Sequence, residues 1–296
     1  MAVLTAKDYR SEVEPTWCAG CGDFGVLNAT ARALAELQKD PAKVVGVSGI
    51  GCSSRLPLFL KGYNAHTLHG RAITFAIGVK VARPDLDVIV FTGDGDMFSI
   101  GSGHNPHVAR RNLDITIIMM DNKVYGLTKN QISPTSRDGQ YGSLTPYGNI
   151  DGHINPIMYM LTFGATYVAQ TYAGNLKHMT KIIKEAISHK GLSFVNIISP
   201  CPTFNKFDSY KYYKNHLIDI NEDLGHNEID NFNKAMEMAI HWDDNYRDPN
   251  NTKAHIGVYY KVEKPTYHDR VKEVQERLGR EDSIQNLINV CKPKAI

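Results

Sequence analysis

Two groups of residues in this chain have the types and spacing for chemistry. The first is a pair of carboxylates, Asp94 and Asp96, set in Gly93-Asp94-Gly95-Asp96 directly after an apolar, β-branched run at 88–91. Glycines let a backbone approach a diphosphate closely, and a helix starting at such a turn aims N–H groups at it. Two carboxylates would repel phosphate unless a hard divalent cation lay between them. Mg²⁺ suits that role, since it binds through one or two protein groups plus phosphate oxygens. Further oxygen donors stand in Asp121-Asn122-Lys123-Val124-Tyr125-Gly126, which ends a second apolar run at 115–120, and Asn122 follows Asp94 by 28 positions. That separation fits one strand–helix–strand crossover, which brings both turns to one sheet edge. The plainer alternative is two βα turns rich in Asp and Asn because those residues make turns.

The second group is sulfur. Cys18 and Cys21 share a glycine-rich loop; Cys52 lies in Ser48-Gly49-Ile50-Gly51-Cys52-Ser53-Ser54-Arg55, after an apolar run at 43–47. Cys201 lies in Ser199-Pro200-Cys201-Pro202, after the run at 194–198. All four occupy loop positions that one sheet edge could gather. Cys-x-x-Cys alone is compatible with a redox dithiol, half a zinc site or half an iron–sulfur site. Neighbouring glycines favour a cluster, because their N–H groups can donate to its sulfurs, and Cys-Pro is a ligand pattern of bacterial ferredoxins. A structural Cys₄ zinc site is the alternative. Such sites usually show two local pairs, whereas here one pair is joined by two singletons, which favours a [4Fe–4S] cluster. Cys291, near the polar C-terminus, reads as a bystander.

The elements that must position these groups follow from hydrophobic periodicity. Apolar strand-like runs at 43–47, 88–91, 115–120, 165–169 and 194–198 alternate with helical patterns at 26–38, 73–81 and 175–189. That alternation predicts an α/β fold, a mainly parallel sheet flanked by helices, with ligands at the carboxyl ends of the strands. His69 and Arg71 stand at a loop-to-helix boundary where phosphate or carboxylate could be met. Residues 126–135 are too polar for core and are expected to line the pocket; 141–156 is irregular and reads as a lid or as a contact with another subunit. From 203 the character changes, so a core at 1–202 and an extension at 203–296 are expected, with helices at 228–242 and 269–278. Residues 206–214 alternate aromatic and charged side chains. Stacking on single-stranded nucleic acid is one reading; an arm docking a partner subunit is favoured, because the net charge is only +2. A hydrophobic content of 42% supports a substantial core. The near-neutral balance argues against nucleic acid as the main partner, and no apolar run approaches the ~18 residues of a membrane span. Lys7, Asp8, Arg10, Glu12 and Glu14 near the start argue against a signal peptide, so a cytoplasmic location is expected.

Gly-Asp-Gly followed by Asn one crossover later resembles the thiamine-diphosphate-binding motif. Taken with Cys-x-x-Cys-Gly, Gly-Cys-Ser-Ser, His69 to Arg71 and Cys-Pro, the chain resembles the β subunit of 2-oxoacid:ferredoxin oxidoreductases, from about Thr16 through the C-terminal extension. The resemblance implies the diphosphate-binding half of a thiamine-diphosphate site and one [4Fe–4S] cluster. It carries Mg²⁺ ligation onto Asp94, the Asn122 side chain and the Val124 carbonyl, and cluster ligation onto Cys18, Cys21, Cys52 and Cys201. Cofactor contacts are carried onto Ile50, Gly51, Cys52, Ser53, His69, Gly95, Asp96, Gly126 and Leu127. The implied reaction is oxidative decarboxylation of a 2-oxoacid, with electrons leaving singly through the cluster to ferredoxin and the acyl group passing to coenzyme A. No activating glutamate is assigned in this chain. The family expectation is that it and the coenzyme A site come from an α subunit, in an α₂β₂ assembly, so the isolated chain should not turn over. Arg55, three residues after Cys52, and more weakly Lys129, are candidates for holding a distal substrate carboxylate, which favours 2-oxoglutarate over pyruvate or a broad range of 2-oxoacids. A non-redox thiamine-diphosphate enzyme with structural zinc, or an electron-transfer module without thiamine, are the rival readings.

Overall fold

β-branched and aromatic runs that are apolar on every residue must be covered on both faces, and a parallel sheet between helix layers does this. The computed structural model of the chain, which describes residues 3–247 and 253–279, has that layout. The strands are β1 Val44–Ser48, β2 Ala65–His66, β3 Asp87–Gly93, β4 Thr116–Asp121, β5 Tyr167–Tyr172, β6 Ser193–Ile198, β7 Leu217–Asp219 and β8 Ala254–Lys261. They form one eight-stranded sheet in the order β2-β1-β3-β4-β6-β5-β8-β7. The six strands from β2 to β5 run parallel, and β8 joins antiparallel to β5.

The helices are α1 Asp23–Glu36, α2 Ala72–Ala82, α3 Asp94–Phe98, α4 Asn105–Arg111, α5 Pro156–Thr162, α6 Leu176–Ser188, α7 Tyr210–Tyr213, α8 Phe232–Arg247 and α9 Tyr267–Leu278. One core packs α1 and α6 on the sheet through Leu27, Leu34, Ile182 and Ile183 against Phe91, Ile118 and Val195. The opposite core joins α2, α4, α5 and α8 through Ile73, Val108, Met160 and Ala239 against Val90, Ile117 and Phe194. Among the described residues no helix is long and apolar enough to cross a membrane.

Element boundaries shift where caps decide them. Helix α1 starts at Asp23, three residues before its apolar periodicity begins. Helix α8 starts at Phe232 rather than 228, because the Asn231 side chain accepts from the N–H groups of Asn233 and Lys234. Helix α9 opens on a Thr266–Asp269 capping box and closes on Gly279 at φ +59°. The expected boundary at residue 203 does not divide the sheet, since β7 and β8 come from beyond it and β8 covers the open side of β5. Cys291 lies outside the described residues.

Candidate functional site

Four neighbouring parallel strands, β1, β3, β4 and β6, end at the same edge of the sheet. Their register pairs Ser48 with Phe91, Gly93 with Met120 and Asp121 with Ile198. The loops leaving them carry Cys52, Asp94, Asn122 and Cys201, so sequence-distant groups become neighbours by topology. Between the loops lies a cleft of about 270 Å³. Ile50, Gly51, Cys52, Ser53, His69, Asp94, Gly95, Asp96, Asn122, Val124, Gly126 and Leu127, the residues assigned from sequence to the cofactor and Mg²⁺, all line it.

Asp96 explains how that edge is held. One of its carboxylate oxygens accepts from Ile50 N–H (2.9 Å), Gly70 N–H (2.7 Å) and His69 Nδ1 (2.8 Å). The other accepts from the Thr92 hydroxyl at 2.8 Å. Gly49 must be glycine here, because a Cβ would run into the same carboxylate. Asp96 therefore reaches the cleft mainly as a brace that ties the loop after β1 to the loop before α2. Asp96→Ala leaves buried N–H groups without acceptors and is expected to cost about 2–4 kcal/mol. Urea unfolding measures this, and an unchanged midpoint would refute the bracing role.

Asp94, only 2% exposed, accepts from the hydroxyls of Ser133 and Thr135, the latter at 2.8 Å. Thr135 also reaches Asp121 Oδ1 (2.7 Å). Burial first, then the charge of Asp121, pushes the Asp94 carboxyl up. Asp121 pairs with the fully buried Lys123 at 2.9 Å. Burial alone would lower that ammonium, but the charges of Asp121, Tyr213 and Asp208 raise it. Lys123 takes a left-handed φ of +58°, which bends the chain so that Asn122 Oδ1 accepts from Val124 N–H at 3.1 Å. Asn205, in the loop after Cys201, donates to the Asn122 carbonyl (3.1 Å) while its own N–H bonds the Cys201 carbonyl (3.0 Å). Helix α3 spans only five residues, so the expected helix-end attraction for diphosphate is small and charge balance falls to a cation.

The loops that carry the four cysteines meet beside this cleft. Trp17 Nε1 donates to the Cys52 carbonyl (2.7 Å), and Gly22 N–H to the Pro200 carbonyl (3.1 Å), which draws the N-terminal loop against the ends of β1 and β6. Gly22 allows this, because a Cβ there would strike Ser199. Burial, then Asp23, then the neighbouring sulfurs of Cys201 and Cys52, push the Cys21 thiol up. Cys52 is raised to about 11 by burial, Asp23, Cys201 and Cys18, with Arg55 opposing. Asp23 itself is buried beside Ser199 (2.8 Å) and raised to about 6 by that burial. Gly126 lies between the two features: a methyl group added there would sit 3.6 Å from Cys52 Sγ and 3.9 Å from Cys201 Sγ. Among the described residues no three His, Cys, Asp or Glu side chains form a group suited to a single metal ion.

Two expected residues stand outside the cleft lining. Arg55 is half-buried, turned toward the Thr16 carbonyl (3.5 Å), and Lys129 is exposed. Gly93, Tyr125 and Thr128 also line the cleft without having been assigned a contact from sequence. The Tyr125 ring lies against Gly95, where any side chain would collide with it, and its hydroxyl donates to the Gly95 carbonyl at 3.3 Å. An aromatic residue in a loop carries no periodic signal that could have marked it.

Residues 49–197 match the family described as thiamine pyrophosphate enzyme, C-terminal TPP binding domain. Residues 201–276 match the family of the C-terminal part of the pyruvate ferredoxin oxidoreductase beta subunit. The chain is 45% identical over 268 residues to a 2-oxoacid:ferredoxin oxidoreductase subunit beta of Saccharolobus solfataricus, covering 87% of this chain and 85% of the relative. It is 38% identical to the 2-oxoglutarate synthase subunit KorB of Methanocaldococcus jannaschii over 90% of this chain and 94% of the relative. Among solved structures it is similar to the 2-oxoglutarate:ferredoxin oxidoreductase of Magnetococcus marinus with 2-oxoglutarate, coenzyme A and succinyl-CoA bound. That match has a TM-score of 0.89 and 48% identity, and covers 99% of this chain and 98% of the other.

Proposed function

Since the chain belongs to the β-subunit family of the 2-oxoacid:ferredoxin oxidoreductases and carries a thiamine-diphosphate-binding domain, we propose that it forms the diphosphate-anchoring and electron-relay half of an enzyme acting on 2-oxoglutarate. The observation that carries this reading is Gly126, which lines the cofactor cleft and where an added Cβ would lie 3.6 Å from the Cys52 sulfur and 3.9 Å from the Cys201 sulfur. A reacting centre in the cleft and an electron acceptor on the thiols are then near neighbours.

The donor sets fit the groups assigned to them. A buried carboxylate pushed up by burial and by a second carboxylate is one that a divalent cation would hold ionised. Asp94, the Asn122 side chain and the Val124 carbonyl would hold Mg²⁺, a mixed oxygen set of the kind that ion accepts. Cys18, Cys21, Cys52 and Cys201 would share a [4Fe–4S] cluster, whose several irons suit thiols arriving from three separate loops. Thiamine diphosphate supplies the electron sink for decarboxylation, and this chain's residues orient it. Asp96 keeps the loop at 50–53 and His69 in place, Gly95 and Tyr125 line the cleft beside them, and Cys52 would stand between the cleft and the cluster. An α subunit supplies the activating glutamate and the coenzyme A site, ferredoxin takes the electrons, and the assembly is α₂β₂ in the cytoplasm.

For the substrate, Arg55 lies three residues after Cys52, beyond the cleft wall, where the α subunit would complete the pocket. Its guanidinium suits the distal carboxylate of 2-oxoglutarate. With the αβ complex, Arg55→Leu is expected to raise KM for 2-oxoglutarate at least about tenfold while leaving pyruvate nearly unchanged. Equal effects on both substrates would reject this assignment.

A further inference from the structure

The alternation at 206–214 suggests an arm reaching for a partner, but two of its four aromatic residues, Tyr212 and Tyr213, turn inward, while Phe207 and Tyr210 are exposed. Tyr213 is buried and donates to Asp208 at 2.7 Å, and Asp208 is buried against Arg137 at 2.6 Å. Tyr212 stacks on His216 at 4.4 Å, with the Arg137 guanidinium 4.5 Å from its ring centre. What the segment presents outward is Lys206, Phe207, Tyr210, Lys211 and Lys214. Between 201 and 216 the one carboxylate is Asp208, so this surface is cationic.

That surface adjoins the outlet of the candidate cluster. Cys18 is the exposed member of the four thiols, and Ala19 and Gly20 beside it are exposed and small. Gly20 lies against the Pro202 ring at a distance that would put a Cβ 3.5 Å away, and Lys206 Nζ donates to the Pro202 carbonyl. On the other flank, the Tyr210 hydroxyl is raised to about 12 by burial and by the nearby Cys21 and Asp23. Exposed sulfur, small residues and Lys206 are therefore contiguous through Pro202, and Lys211 and Lys214 are exposed on the same segment as Lys206. Glu12 and Glu14, the exposed carboxylates preceding this loop, stand before Trp17, and Glu14 faces Arg10.

We propose that the Cys18–Gly20 loop together with Lys206, Lys211 and Lys214 is the docking surface for an acidic one-electron acceptor protein. The proposal rests on the cluster assignment above and deepens it by naming where the electron leaves. Electron tunnelling falls off steeply with distance, so an acceptor must sit close to the exposed sulfur, and small residues permit that. Complementary charge speeds encounter and fixes orientation without requiring a large interface, which suits a transient electron-transfer contact.

The test uses the αβ holoenzyme reduced with 2-oxoacid. Rates of reduction of an acidic ferredoxin are followed by stopped flow and compared with rates for methyl viologen, a small cation that needs no docking surface. The triple variant K206E/K211E/K214E is expected to lower the second-order rate constant for ferredoxin by about tenfold or more at low salt. The gap should close as salt rises, because screening removes steering. Viologen rates should stay within about twofold, and the neutral variants K206M and K211M/K214M should fall in between. Ferredoxin rates unchanged in the triple variant would overturn the proposal, as would loss of the α subunit from any of these variants. Equal loss of both acceptors' rates would overturn it too. Absence of iron from the anaerobically purified wild type would instead sink the cluster assignment beneath it.

Discussion

Asp94→Ala is expected to weaken Mg²⁺-dependent binding of thiamine diphosphate by about 100-fold or more, beyond the 10–100-fold typical of losing an outer-shell partner. Asp94 is the carboxylate of the assigned Mg²⁺ set, and its loss leaves only an amide and a carbonyl for a doubly charged ion. Its surroundings make the effect local. Ser133 and Thr135 hold the carboxylate from behind, and burial together with Asp121 already pushes it up. Asp94→Asn should therefore fold normally, since the neutral side chain meets no greater desolvation cost than the carboxylate did. Titration calorimetry on the αβ complex with both variants reads the result. Tight binding retained in both would remove Asp94 from the metal site.

Cys52→Ser is expected to remove the visible iron–sulfur absorbance and to lower ferredoxin reduction by about two orders of magnitude or more. Thiamine diphosphate affinity should stay within a few-fold. Serine preserves the size of the side chain in the cleft wall but replaces a soft thiolate with an oxygen that holds iron poorly. Cys52 is the informative choice because it serves both regions, lining the cleft and contacting the space beside Gly126. Were the thiols a structural zinc site, the same change would release zinc and lower stability while leaving electron delivery untouched. The two outcomes are separated by metal analysis and a single kinetic trace.

Much of this site was legible in the sequence because strands and turns announce themselves. Asp94 and Asn122 each stand within three residues of an apolar, largely β-branched run, so their placement at one sheet edge follows from strand polarity alone. Cys52 and Cys201 were readable for the same reason. The role of Asp96 was not readable, since Gly-Asp-Gly-Asp spacing cannot distinguish a carboxylate that meets a ligand from one that accepts backbone N–H groups of the loop at 50–70. Asn205 bridges the carbonyl groups of Asn122 and Cys201 through contacts 83 and four positions away, and no local pattern encodes such a bridge. Residues 206–214 were only partly readable, because aromatic–charged alternation says that a segment has two faces, not which side chains turn inward. β8 was missed because His255 and Gly257 interrupt its apolar run, and its place in the sheet depends on a partner strand some 90 residues earlier.

The antiparallel strand contributed by the C-terminal region also bears on how pieces of this protein can be made. A fragment trimmed at the apparent end of the cofactor half, near residue 202, would strip β8 from β5. Tyr167–Tyr172, all buried in the intact chain, would become a bare strand edge with open hydrogen-bonding groups and apolar side chains. Such edges recruit further copies of themselves, so inclusion bodies are the natural fate of that fragment. Expression designs that aim at the cofactor cleft alone should extend past Lys261, or else place a charged residue or a proline on the uncovered strand.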